Sequence, residues 1–157
     1  MFGKLDSEQI EQVLGSQLLG RLGCSNEGVT YVYPVSYAYD GEYVYIHSYE
    51  GFKMEIMRKN PRICFEVEEI EDLANWKTVM AWGQFEELVS EQDRALAYKK
   101  LHERRLPVLS SETVHIAHEW PFAPDKVETI SGLFFRIKLD DKTGKFEKIA
   151  SQEFFAT

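Results

Sequence analysis

The sequence has only two cysteines, Cys24 and Cys64, and no Cys-x-x-Cys pair. That excludes a disulfide framework and a zinc finger or ribbon, so each reads as a small core hydrophobe. No block of Lys and Arg occurs, and 18 basic residues against 26 acidic ones leave a net charge of −8. Polyphosphate backbones and anionic lipid surfaces bind clustered cations, so nucleic acid and membrane are excluded as expected partners. No uncharged apolar run approaches the roughly 18 residues of a membrane helix. The start, Met1 to Leu5 followed by Asp6, Glu8 and Glu11, has neither a basic leader nor an apolar leader core, which points to the cytoplasm. Glycine-rich dinucleotide and phosphate loops, the His-Glu-x-x-His helix and the Gly-x-Ser-x-Gly elbow are all absent. His115 and His118, with His102 upstream, lack a third ligand at a known spacing, so they read as surface or loop histidines and no metal is expected.

What is present is core material, 44% hydrophobic and 13% aromatic residues in 157. A chain of this length can bury about two-thirds of its unfolded surface, which argues for a single domain over 1–157. Asp6 as an N-cap, with Ile10, Val13, Leu14 and Leu18 at helical spacing, predicts a short amphipathic helix within 6–17. A strand at Gly20 to Cys24 should turn at Asn26-Glu27-Gly28 into Val29 to Tyr39, where large residues occupy every second position. Asp40-Gly41 is a hairpin signal, and the return strand Glu42 to Ser48 puts Tyr43, Tyr45 and His47 on one face and Val44, Ile46 and Ser48 on the other.

A helix from Gly51 to Asn60, with Phe52, Ile56 and Met57 on its apolar stripe, should stop at Asn60-Pro61. Ile63, Phe65 and Val67 alternate as a further strand, Glu68 to Asp72 reads as an acidic turn, and Lys77 to Val89 as a long strand in which Gly83 marks a bulge or a close approach of other groups. Ser90 opens a helix with Leu96, Ala97 and Leu101 inward and a basic end, Lys99, Lys100, Arg104 and Arg105. Leu106 to Pro124 carries no clear pattern, Val127 to Leu139 reads as a final strand, and this strand with a C-terminal tail occupies 127–157. About six strands, few helices and short hairpins predict a mainly β, six-stranded antiparallel barrel.

One stretch carries chemistry. In His47-Ser48-Tyr49-Glu50-Gly51-Phe52-Lys53 a strand ends in imidazole and hydroxyl groups, a glycine turn follows, and a lysine sits in the first turn of a helix. Donors, exposed amides and a positive helix terminus converge there, as a phosphate requires. The plain structural alternative is a solvated Lys53 and a barrel-edge His47. The acidic runs Glu66 to Asp72 and Glu86-Glu87 read as solvated faces.

Asp40 to Lys53, then Asn60-Pro61 and a strand of alternating apolar residues, resembles the flavin mononucleotide (FMN) segment of the pyridoxamine 5′-phosphate oxidase-like split-barrel flavoproteins. The likeness extends to the nitroimidazole-resistance subgroup, through Gly20-Arg21-Leu22, Pro34-Val35, His47-Ser48, Gly51-Phe52-Lys53 and Asn60-Pro61. The resemblance implies a homodimeric six-stranded split barrel with FMN in two clefts between the subunits. It places Lys53 on the phosphate, His47 and Ser48 at the phosphate and ribityl end, the backbone of Pro34, Val35 and Ser36 along the isoalloxazine ring, and Thr78 at the ring's polar edge. Trp120 is the expected cap on the partner's cleft. The true oxidases have arginine near Val32 and at Phe52, and a basic C-terminal signature of which only Arg136 remains here. Vitamin B6 oxidation is therefore not implied. The expected activity is FMN-dependent reduction of a small acceptor such as a nitroaromatic, with a non-catalytic flavin or haem carrier or sensor as the alternative.

Overall fold

The computed structural model describes residues 1–104 and 130–149. The elements run β1 (Phe2–Lys4), α1 (Ser7–Ser16), β2 (Leu19–Asn26), β3 (Val29–Ser36), β4 (Ala38–Tyr39), β5 (Tyr43–Ser48), α2 (Phe52–Lys59), β6 (Arg62–Asp72), β7 (Asn75–Leu88), α3 (Glu91–His102) and β8 (Leu133–Glu147). Every ladder is antiparallel, in the order β3-β2-β6-β7-β8-β5-β4, with β1 added on β8. The end strands of that path, β3 and β4, are consecutive in the chain with only Tyr37 between them. The sheet thus comes back on itself as a split barrel, with six long strands and two short ones, β1 and β4, among the described residues.

Alternation decides what faces inward. Leu22, Val35, Val44, Ile46, Phe65, Val67, Val79, Phe135 and Ile137 fill one core, which Ile10, Val13 and Leu14 of α1 and Met54, Ile56 and Met57 of α2 complete. The opposite faces of β5 and β8 send Tyr45 and Phe134 into a second cluster beneath Ala97 and Leu101 of α3. Two of the helices start at side-chain caps. Asp6 and Gln9 form a reciprocal capping box on α1, and Ser90 accepts from the Asp93 amide on α3.

Several expectations are corrected. Glu68 to Asp72 is not a turn but the end of β6, because Glu69 lies opposite Lys77 and Ile70 opposite Trp76 in the ladder with β7. Leu96 and Phe52 are exposed rather than inward, and Phe52 packs edge-on against Tyr31 at 5.2 Å. The last strand continues past Leu139 to Glu147, held by β7 on one side and β1 on the other. At Gly83 the irregularity lies in the facing strand: Trp82 pairs with Asp141 and Gly83 with Leu139, so the bulged residue is Asp140 of β8, which is free to pair with Arg62. A Cβ on Gly83 would strike the Lys138 carbonyl oxygen.

Candidate functional site

The β5–α2 junction brings three of the expected residues close in the chain. His47 and Ser48 end β5 beside Phe134 and Leu133 of β8, and Lys53 is the second residue of α2. The Gly51 carbonyl accepts from the amides of Met54 (3.1 Å) and Glu55 (3.2 Å), but no side chain among the described residues caps α2. The amides of Phe52 and Lys53 lie in the first turn, where a helix offers its own N–H groups no partner. This end is open to an anion, which the helix dipole favours.

Lys53 is half-buried, with Nζ 5.8 Å from the Tyr33 ring centroid. Burial lowers its pKa, and the nearby Cys24 thiol acts weakly in the other direction. Among the described residues no carboxylate is paired with it. A desolvated ammonium in this position is stabilised by whatever anion reaches it.

His47 behaves differently. Its Nε2 lies 2.7 Å from the Ser131 carbonyl oxygen, and since a carbonyl only accepts, Nε2–H is the donor. Burial is the largest influence and lowers its pKa; the Ser131 bond raises it, and the Arg94 and Arg104 charges lower it further. The net direction is toward neutral imidazole, not the charged form a phosphate would favour. Gly132 fits beside it only as glycine, because φ is +94° and a Cβ would meet the Ser48 carbonyl oxygen at 2.7 Å and His47 Nε2 at 2.8 Å. Arg94 completes the clamp by donating to the carbonyls of Gly132 (3.3 Å) and Ile130 (3.2 Å). Among the described residues the Ser48 hydroxyl makes only a long contact, 3.4 Å, to the Tyr49 carbonyl.

The remaining expected residues sit on the sheet. Pro34 is exposed opposite Arg21, Val35 points into the core opposite Gly20, and Ser36 receives a hydrogen bond from Arg104, which also donates to the Tyr37 carbonyl at 3.2 Å. Thr78, on β7, donates to Glu66 Oε1 at 2.8 Å. Trp120 lies outside the described residues, as do His115 and His118. Arg94 and Arg104 are the cations the sequence reading did not assign to the site. Arg94 lies in the first half of α3 and Arg104 just past its end, where the sequence reads simply as a basic helix terminus. A cleft of about 550 Å³ between α1, β4 and α3 reaches Arg104 but none of the expected residues that are described.

These features fit a split-barrel protein with an anion-accepting strand–helix junction. The family model for pyridoxamine 5′-phosphate oxidase matches residues 6–146. The chain belongs to that family, whose members bind flavin. An uncharacterised protein of Rhizobium meliloti is 25% identical over 141 residues, covering 90% of this chain and 92% of the relative. An FAD-binding protein from Mesorhizobium loti has a similar structure, with TM-score 0.72, 28% identity, and coverage of 94% of this chain and 99% of the other. A candidate 5-nitroimidazole antibiotic resistance protein from Bacteroides thetaiotaomicron shares the fold, with TM-score 0.69, 19% identity, and coverage of 93% and 87%.

Proposed function

We propose that this chain is a flavin-dependent oxidoreductase that binds FMN, or the same riboflavin phosphate portion of FAD, and passes electrons to a small planar acceptor such as a nitroaromatic. The observation that carries the reading is Lys53: a half-buried ammonium with lowered pKa and no carboxylate paired with it among the described residues, at the uncapped start of α2. When bound, the flavin supplies hydride or single-electron transfer, and the protein supplies placement and electrostatics.

The chain's own residues divide that work. Lys53 and the first-turn amides of α2 hold the phosphate, with the Ser48 hydroxyl at hand as a further donor. The backbone of Pro34 to Ser36 runs along the ring. His47 acts as a neutral clamp that fixes the end of β5 to the backbone before β8, so it orients the site rather than moving a proton at neutral pH. The site is completed by a second copy of the chain. Support comes from the outward face of the sheet, where Leu19 and Val32 are each 62% exposed and Met80 is 42% exposed.

Turnover is tested by reducing the flavin-loaded protein without oxygen, adding a nitroaromatic and following the oxidised flavin absorbance. Its rapid return, with loss of the nitro absorbance, is the expected result. A spectrum that stays reduced overturns the oxidoreductase reading and leaves a flavin carrier, the role that the committed Nε2 of His47 favours.

A further inference from the structure

The outward face of β3, β2, β6 and β7 holds a flat apolar shelf with a polar corner. Gly23 sits in the middle of β2, opposite Val32 on one side and Cys64 on the other, and Cys64 pairs with Trp82. Among the described residues a Cβ on Gly23 would meet nothing closer than Cys64 Cβ at 3.4 Å. Their packing therefore leaves room for a side chain, although an interior glycine weakens a strand and often marks a close approach by another group. Val32 and Met80 border the shelf and are exposed.

The next row across the sheet is Pro34, Arg21, Glu66 and Met80. Arg21 Nη1 donates to Glu68 Oε1 at 2.9 Å and makes a longer contact to Glu66 Oε2 at 3.4 Å. The Thr78 hydroxyl spends its single proton on Glu66 Oε1 at 2.8 Å. It has none left for a ring carbonyl. What remains available beside the shelf is an acceptor, Glu66 Oε2, next to donors: Arg21 Nε and Nη2 have no hydrogen bond among the described residues.

We propose that Glu66 is the residue that reads the flavin's pyrimidine edge, accepting the N3–H hydrogen while Arg21 donates to an adjoining ring carbonyl, with Thr78 as the positioning residue that fixes the carboxylate. The assignment rests on the flavin reading above. That edge presents a carbonyl, an N–H and a second carbonyl in line, so it needs an acceptor flanked by a donor. A carboxylate is acceptor only, and its hydrogen bonds are charge-assisted. The apolar shelf over Gly23 would take the ring's flat face, while the Arg21–Glu66 pair meets its rim.

The probes are FMN and its N3-methyl analogue, titrated against the full-length apoprotein by flavin fluorescence. The wild type should prefer FMN by about tenfold or more, the scale of a hydrogen bond to a charged group. Glu66→Ala should weaken FMN and leave the analogue unchanged, bringing the ratio near one. Thr78→Val should lower the ratio several-fold, and Glu68→Gln should keep it. The ratio is the informative readout, since a merely structural loss would weaken both ligands together. A Glu66→Ala protein that binds FMN with the wild-type preference, or a wild type with no preference, overturns the assignment while leaving flavin binding intact. A wild type that binds neither flavin overturns the flavin reading itself, and this assignment with it.

Discussion

Burial lowers the pKa of both Lys53 and His47, with different consequences. At Lys53 the lost solvation is made good by an incoming anion, because no carboxylate of the described chain supplies it. At His47 the Ser131 carbonyl already serves as partner, and a proton on Nδ1 would add charge close to Arg94 and Arg104. The folded pKa of His47 lies below its ordinary 6.5, so between those two values the unfolded chain binds more protons. The stability it contributes is complete above pH 6.5 and is lost as pH falls through 6.5 toward the folded value. Thermal midpoints at about pH 7.5 and about pH 5.5 should fall further in the wild type than in His47→Gln, whose amide can donate to Ser131 but does not titrate. Parallel declines in the two proteins would contradict this.

Among the elements, β7 and β8 form the longest ladder, and Gly83 sits opposite their bulge. Gly83→Ala should destabilise the fold by roughly 1–3 kcal/mol, because the neighbours in the way include the Lys138 backbone and not only a side chain that could rotate. Urea unfolding measures it, and an unchanged midpoint would count against the bulge geometry. An irregularity here was legible in the sequence because glycine inside a period-two run marks a bulge or a close approach; the close approach is at Gly83 and the extra residue, Asp140, is in the facing strand. The α1 boundaries, the two tight turns and the stop at Asn60-Pro61 were legible for the same kind of local reason. What was not legible is nonlocal. β1 is three residues long and exists through its pairing with β8 at Glu147, Phe146 and Lys145. Glu68 to Asp72 looks like a turn until Lys77 and Trp76 stand across from it. The site divides likewise: Lys53 and Ser48 follow from a strand–turn–helix pattern, whereas the Arg94 clamp and the Arg21–Glu66–Thr78 chain depend on pairings between distant strands and helices.

At the scale of the whole molecule, the barrel encloses its core yet leaves Leu19, Val32 and Met80 exposed on one outward face. A second copy covering that face would bury the apolar shelf and enclose the flavin ring lying on it. Sedimentation should therefore give twice the chain mass of 18.3 kDa. Val32→Asp combined with Met80→Glu should shift the protein toward the single-chain mass and weaken flavin retention together. A wild type at single-chain mass at micromolar concentration would contradict the shared site. None of the described helices is long and apolar enough to cross a membrane.

The most direct test is to denature the purified protein and weigh and count the released chromophore, in the wild type and in Lys53→Ala. The expected result is FMN or FAD close to one per chain in the wild type and little or none in the variant, with the variant's far-ultraviolet circular dichroism unchanged. A folded Lys53→Ala protein that retains full flavin would contradict the phosphate anchor, and a wild type that neither carries nor takes up flavin would contradict the account as a whole.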